Sequence, residues 1–262
     1  MGVKKMNLMN NKRAQITIFV ILAILIVAAI ILMFTLYKGP ISENLAKKGQ
    51  EPNVQISQCV GKHVDEASDK LIENGGYIGG YLNMSFKYKD VPYLCYTKEN
   101  YARCIIQKPV LIEHLEKEIY DYIEPKIENC FVLLKEDFEN RGYEIQMQDE
   151  MSFSVKLISQ KAKVNINRKL EATKSDESRK FESFTSTAQT PVYDFAIIVQ
   201  NIIEQEANYG NSDYVQIMRT NTWADIEKFQ TGDDNTIYTI TDTKTKKSWR
   251  FAVRGNVLNT PS

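Results

Sequence analysis

The sequence predicts an α+β fold, in which an N-terminal transmembrane helix precedes an extracytoplasmic, disulfide-bonded domain of helices plus antiparallel β-sheet. Three observations predict this fold class. The run Ile16–Tyr37 is almost entirely apolar, and later segments repeat apolar residues at helical spacing. From Tyr143 to Thr173, apolar and polar residues alternate instead, which is typical of antiparallel strands with one solvated face.

Length and charge limit the classes of protein to consider. The 262 residues are enough for one or two domains with a sizeable core. The formal net charge is +0, so no overall electrostatic field attracts nucleic acid or another strongly charged partner. We therefore expect no nucleic-acid partner.

The apolar run has the length of a membrane anchor. About 22 residues at roughly 1.5 Å each extend about 33 Å, close to the thickness of a hydrocarbon core. The run is longer than the apolar part of a cleaved secretion signal, and no small-residue cleavage site follows Tyr37. Basic residues precede it without an acid, namely Lys4, Lys5, Lys12 and Arg13. The positive-inside rule then predicts a cytoplasmic N-terminus, an extracellular C-terminal domain and the lipid bilayer as a partner.

These features divide the chain into four parts. We expect a cytoplasmic leader (1–14), a transmembrane helix (15–38), a juxtamembrane linker (39–56) and an extracellular α+β domain (57–262), with candidate lobes 57–142 and 143–262.

Three helices are expected in the extracellular domain. The first begins after Ser57 and stops at the Gly75-Gly76 pair. The second begins near Pro109, and Pro125 ends or bends it. The third begins at Pro191 and ends at Gly210, since proline suits a first turn and glycine a C-terminal cap.

The strand signals lie mostly in the second half of the chain. Residues 143–173 predict a meander, and 235–243 and 247–256 predict two further strands joined by a turn. The Ser/Thr-rich stretch 174–190 between the meander and the third helix is interpreted as a linker or an edge connection.

All four cysteines follow the apolar run, and they allow three pairings. We favour Cys95–Cys104, which closes a short loop, and Cys59–Cys130, which joins the first two helices. Two disulfides fit an oxidising exterior. The alternative is four buried free thiols in a reducing compartment.

No motif indicates a chemical reaction. The sequence lacks a G-x-S-x-G nucleophile turn, a P-loop and paired cysteines with zinc spacing. His63 and His114 are interpreted as ordinary helix residues, because neither completes a metal-binding pattern. We therefore expect no enzyme activity, no cofactor and no metal.

Two surface features are candidates for other roles. Asn83 opens the sequon Asn83-Met84-Ser85, a candidate N-glycosylation site in an exported domain. The Gly- and Tyr-rich region that follows the first helix is either a tight loop or a contact surface, because tyrosine offers area and a hydrogen bond at little entropic cost. The tyrosines concerned are Tyr77, Tyr81, Tyr88, Tyr93 and Tyr101.

The N-terminal stretch "KRAQITIFVILAILIV" resembles the class III signal segment of archaeal type IV pilin-like proteins. The resemblance implies a processing site at Arg13, Ala14 and Gln15, with Gln15 as the new N-terminus, and a prepilin-type peptidase as a partner. It also implies that the apolar helix drives assembly with copies of itself or other pilin-like subunits. The residues of that helix taken as representative are Ile16, Phe19, Ile24, Ala28, Ile31 and Phe34.

Further segments, including "PVYDFA" and "YTITDTKTKKSWRFAVR", resemble uncharacterised single-pass exported proteins of small-genome archaea. Together the two resemblances imply a membrane-anchored, cell-surface structural or interaction protein, namely a pilin-like filament or surface-assembly subunit without catalytic activity. Two alternatives stay open: an unprocessed single-pass receptor or envelope scaffold, and an anchored envelope hydrolase.

Overall fold

The structure is a computed structural model that describes residues 24–27, 51–175 and 177–255. The chain divides into two units, Met1–Glu51 and Pro52–Ser262, and each is considered by itself.

The first unit bears on the predicted transmembrane helix. In this unit the structure describes Ile24–Val27 and Glu51, and Ile24–Val27 are helical and exposed. None of the helices in the described residues is long and apolar enough to cross a membrane. The predicted fold class was therefore wrong in its N-terminal transmembrane helix. The fold class is corrected to an α+β fold with two disulfides.

The other N-terminal predictions fall outside the described residues. These are the processing site at Arg13, Ala14 and Gln15, and the helix positions Ile16, Phe19, Ala28, Ile31 and Phe34.

The second unit alternates helices with two groups of strands. Its helices are α1 (Pro52–Glu73), α2 (Leu111–Asn140), α3 (Val192–Tyr209) and α4 (Tyr214–Thr220). Its strands are β1 (Asn83–Phe86), β2 (Lys89–Tyr96), β3 (Ile105–Ile106), β4 (Glu144–Met147), β5 (Ser152–Ile158), β6 (Lys161–Lys174), β7 (Glu177–Gln189), β8 (Ala224–Gln230), β9 (Asn235–Asp242) and β10 (Ser248–Arg254).

The first sheet has the strand order β1-β2-β10-β9-β8, and β3 also pairs with β2. Its pairs are antiparallel except β2 with β10, which run parallel. The prediction that the strands are antiparallel was therefore wrong for β2 and β10. A parallel pair needs a long connection, and here the chain between β2 and β10 includes three helices and the second sheet.

The second sheet is built around β6, which pairs with β4 and β5 and also with β7. All of these pairs are antiparallel. Along β6 every second side chain from Ala162 to Ala172 is buried, as the alternating sequence predicted.

The main hydrophobic core joins the helices to both sheets. One face of α1 is fully buried, at Ile56, Val60, Val64, Ala67 and Leu71, because these residues recur every three or four positions. Helix α3 buries residues on more than one side of its axis. It contacts α2 as well as strands of both sheets.

Two helix boundaries differ from the sequence prediction. Helix α1 begins at Pro52 rather than after Ser57, since proline is tolerated in a first turn. Helix α2 continues through Pro125 to Asn140. Pro125 is on the exposed side of α2, where the backbone carbonyl that loses its partner can be hydrated.

The stretch interpreted as a linker or edge connection forms strand β7. Phe184, Ser186 and Ala188 are buried at every second position, while the residues between them are exposed. Two of these inward residues are small, so the alternation is weak in hydrophobicity although it is regular in space.

Both disulfides join the pairs favoured from the sequence. Cys59 of α1 is bonded to Cys130 of α2, with the Cα atoms 5.9 Å apart. Cys95 at the end of β2 is bonded to Cys104, with the Cα atoms 5.3 Å apart. The first bond fixes two core helices to each other, and the second closes the loop between β2 and β3.

Candidate functional site

A polar groove runs beside α1 and is the candidate functional site. It consists of two cavities, of about 760 Å³ and about 680 Å³, whose linings share Asp69 and Lys247. The larger cavity lies between the end of α1, the start of β2 and the β9–β10 turn. The smaller one lies between α1 and the end of β7. We call the two together the α1 groove.

The two residues shared by both cavities, Asp69 and Lys247, form an ion pair. Lys247 Nζ, on the β9–β10 turn, lies 2.5 Å from Asp69 Oδ1 on α1. Both side chains are about half exposed, so the contact contributes little to stability. Burial raises the pKa of the neighbouring Asp65, the charge of Asp69 raises it further, and Lys247 opposes the shift. The groove thus carries charges of both signs within a short distance.

One hydroxyl in the smaller cavity lacks a partner. Ser68 is 2% exposed, and its Oγ has no hydrogen-bond partner among the described residues. A buried polar atom without a partner loses about 1–3 kcal/mol of hydration that nothing replaces. Ser68 is among the residues that line the smaller cavity, although its Oγ has almost no accessible surface.

Within the described residues, strand β7, against which α1 packs, has an edge without a partner strand beside this cavity. Among the described strands β7 pairs with β6 alone, and Thr187 and Gln189 at its end line the cavity. An edge of this kind presents backbone N–H and C=O groups that can pair with an added strand. The side of α1 across the cavity adds Gln58, Lys62 and Asp65 as polar neighbours.

The five tyrosines singled out in the sequence do not share one surface. Tyr77 and Tyr93 are buried, whereas Tyr88 and Tyr101 are exposed. Tyr81 is partly exposed and lines the larger cavity of the α1 groove. Only Tyr81 therefore belongs to the candidate site.

The buried tyrosines serve the packing. The Tyr93 hydroxyl donates to Asn235 Oδ1 at 2.8 Å. The Tyr77 ring lies 5.1 Å from Tyr81 and 4.8 Å from the His114 ring. Burial raises the pKa of Tyr77 to about 12, and the charge of Glu118 contributes.

The candidate glycosylation site is accessible. Asn83 is exposed at the start of β1, and Ser85 is exposed two residues later on the same side of the strand. Met84 and Phe86 face the opposite way and are partly buried.

The two histidines have different surroundings. His114 is a residue of α2, and its Nε2 lies 3.0 Å from the Gly76 carbonyl oxygen. Burial, together with the charge of Lys108, lowers its pKa. His63 lies on α1 one turn after Cys59, and its Nδ1 is 3.3 Å from Glu66 Oε2.

A second group of charged residues has largely buried side chains. Glu206 of α3 and Lys228 of β8 have side chains 3% and 10% exposed, and their charged atoms are 3.1 Å apart. The Tyr238 hydroxyl donates to the same Glu206 oxygen, and Lys228 also donates to Asn211 Oδ1 at 2.6 Å. Every charge in this cluster has a partner, and the cluster joins α3 to the first sheet, so we assign it to the packing of the fold.

Comparisons with known proteins identified no relative of this chain. None of the protein-family models, curated proteins or solved structures that were compared matches the chain.

The α1 groove could not be found from the sequence, because its walls are far apart in the chain. Asp69 and Lys247 are separated by 178 positions. Polar residues on the exposed side of an amphipathic helix, such as Lys62 and Asp65, also look like ordinary solvated residues. The helical period of α1 could have shown which side faces outward, but not that β7 and the β9–β10 turn lie beside it.

Proposed function

We propose that residues 52–255 form an exported interaction domain that binds an extended polypeptide segment of a partner in the α1 groove. The observation that carries the proposal is the combination in one groove of an open strand edge on β7 and charges of both signs on α1 and the β9–β10 turn.

The open edge favours a polypeptide because main-chain hydrogen bonds can add a strand to it. Charges of both signs favour the same class, since peptides carry acidic and basic side chains together. An anionic polymer would instead favour a basic surface. Asp65 and Asp69 next to Lys62 and Lys247 do not form one.

The two disulfides support an oxidising location for this domain. An interaction role also agrees with the cell-surface role implied by the resemblance to pilin-like proteins. We propose no catalytic step, because the groove is distinguished by its hydrogen-bonding edge and its charges, and binding alone uses both.

The experiment is a selection of linear peptides from a display library on the oxidised full-length chain. Selected peptides are then measured in solution by fluorescence anisotropy against three proteins. These are the wild type, Lys62→Glu in the groove, and Lys117→Glu on an exposed position of α2 outside both cavities.

We expect the wild type and Lys117→Glu to bind equally, and Lys62→Glu to bind at least tenfold more weakly, equivalent to about 1.4 kcal/mol. Failure to select any peptide, or selected peptides that bind all three proteins equally, would refute the proposal. Selective binding of a glycan panel instead would assign the groove to another class of ligand.

Processing of the N-terminus is a separate proposal, because residues 13–15 lie outside the described residues. We propose cleavage between Ala14 and Gln15 by a prepilin-type peptidase, as the resemblance implies. Mass spectrometry of the N-terminus of the native protein tests it. A chain that begins at Gln15 supports processing, and an intact Lys12–Ala14 leader rejects it.

A further inference from the structure

Three potential metal ligands meet between α1 and α2. Cys59 and His63 are one turn apart on α1, and Cys130 lies opposite on α2. One ligand atom from each of the three residues lies within 4.8 Å of the others. In the oxidised protein the two sulfurs are bonded to each other, so neither is a thiolate and the group is not a metal site in that state.

A neighbouring carboxylate supports His63 in the manner typical of metal-binding histidines. Glu66 Oε2 is 3.3 Å from His63 Nδ1. A hydrogen bond from one ring nitrogen to a carboxylate fixes the tautomer and keeps the other nitrogen available for a metal. Glu66 is itself held, since Lys126 Nζ lies 3.5 Å from the same oxygen. Glu66 can therefore orient His63 so that its second ring nitrogen is available to a metal.

We propose that the reduced chain binds Zn²⁺ through Cys59 Sγ, Cys130 Sγ and His63, with water in the fourth position. Two thiolates and an imidazole suit zinc, whereas Mg²⁺ and Ca²⁺ prefer oxygen ligands. Zinc then joins α1 to α2 when the disulfide does not, so the two helices have two alternative cross-links.

The exchange of the disulfide for zinc conserves electrons and protons. A dithiol reductant transfers two electrons and two protons to the disulfide, which becomes two thiols, while the dithiol becomes a disulfide. Zinc then replaces the two thiol protons, which go to solvent. Oxidation of the two thiolates by a disulfide of the same class reverses the process and releases the metal.

The distances fit both states. Zinc–sulfur bonds of about 2.3 Å in a tetrahedral site place the two sulfurs roughly 3.8 Å apart. The Cα atoms of Cys59 and Cys130 are 5.9 Å apart, so rotation of the two side chains can open that distance without moving the helices. The His63 side chain is 22% exposed, which gives the ion a path from solvent.

The experiment measures Zn²⁺ binding to the full-length chain by competition with a chromophoric chelator, under anaerobic conditions with a phosphine reductant. The background is Cys95→Ser/Cys104→Ser, so that Cys59 and Cys130 are the only thiols. His63→Gln and Glu66→Gln are made in this background, and the oxidised background protein is the control without thiolates. Circular dichroism follows the fold of each reduced protein.

We expect the reduced background protein to bind one Zn²⁺ and the oxidised protein to bind none. Glu66→Gln should weaken binding about 10–100-fold, and His63→Gln should weaken it at least as much. Co²⁺ in place of Zn²⁺ should give thiolate charge-transfer bands with tetrahedral d–d absorption. Equal affinity of His63→Gln and the background protein would overturn the proposal, and so would a reduced chain that unfolds and does not refold when Zn²⁺ is added.

Discussion

Phe86 on β1 and Phe229 on β8 have ring centroids 5.2 Å apart, although their strands stand at opposite ends of the first sheet. Four strand spacings of about 4.8 Å would separate flat edges by roughly 19 Å. The β1–β2 hairpin therefore bends across the outer face of the sheet. There its residues Val91 and Tyr93 form a small second core with Ile237 and Ala252.

This contact predicts a measurable coupling. Phe86→Ala and Phe229→Ala should each lower the free energy of unfolding. The double mutant should lose less than the sum, by about 0.5–1.5 kcal/mol, the usual strength of an aromatic pair. Urea unfolding of the oxidised chain measures all three. Tyr88→Ala, at the fully exposed tip of the same hairpin, is the matched control and should change stability by no more than about 0.5 kcal/mol. Strictly additive losses would show that the rings do not interact.

Two glycines that follow α1 should differ strongly in how much stability the protein loses when each is replaced by alanine. Gly75 has φ +63°, and a Cβ there would lie 2.1 Å from the Arg250 carbonyl oxygen. Gly75→Ala should therefore cost at least about 2 kcal/mol, from the left-handed backbone and the displaced β10 backbone together. A methyl group added at Gly79 would meet no other atom within 4 Å, so Gly79→Ala should be close to neutral. Thermal unfolding of the two variants tests this prediction. Similar melting temperatures would contradict the turn geometry at Gly75.

For the buried ion pair of Glu206 and Lys228, we predict that a single substitution lowers the free energy of unfolding more than replacement of the whole cluster does. Lys228→Met leaves the Glu206 carboxylate buried without its cation, which should cost about 3–5 kcal/mol. Replacing the whole cluster, as Glu206→Leu/Lys228→Met/Tyr238→Phe, removes the charge and both of its partners. The triple variant should be more stable than Lys228→Met in denaturant unfolding. If it is less stable, the charges themselves contribute net stability, contrary to this prediction.

Two buried tyrosines predict a loss of stability in alkali. Burial raises the pKa of Tyr77 to about 12, and burial followed by the charge of Glu206 raises the pKa of Tyr238 further. Above pH 10 the unfolded chain loses these phenolic protons while the folded chain keeps them, so the free energy of unfolding must fall as pH rises.

The test compares urea unfolding between pH 9 and pH 11, roughly on either side of the ordinary tyrosine pKa. Tyr77→Phe should reduce the loss across this interval, because the variant lacks the phenol whose pKa is raised by burial. An identical loss in the wild type and Tyr77→Phe would show that Tyr77 titrates normally in the folded protein.

The sequence predicted those parts of the fold that depend on local periodicity. The stripe of Val60, Val64 and Leu71 on α1 and the alternation along β6 follow directly from side-chain direction in helices and strands. The cysteine pairs could also be predicted, because a short loop favours Cys95–Cys104 and leaves one partner for Cys59.

Features that depend on distant parts of the chain could not be predicted. The parallel pairing of β2 with β10 and the contact of Phe86 with Phe229 need a path of the chain that no local pattern encodes. The same holds for the α1 groove and for His63 beside Cys130, since each joins residues that are far apart in the sequence. Strand β7 was missed for a different reason, because small inward residues such as Ser186 give little hydrophobic signal.

Our central claim is that the proposed exported domain has one disulfide that joins α1 to α2 and a second that closes the β2–β3 loop. Peptide mapping under non-reducing conditions tests it most directly, on native full-length protein treated with an alkylating reagent at lysis. We expect cross-linked peptides containing Cys59 with Cys130 and Cys95 with Cys104, and no alkylated cysteine. Alkylated Cys59 and Cys130, or a cross-link between either of them and Cys95 or Cys104, would contradict the claim.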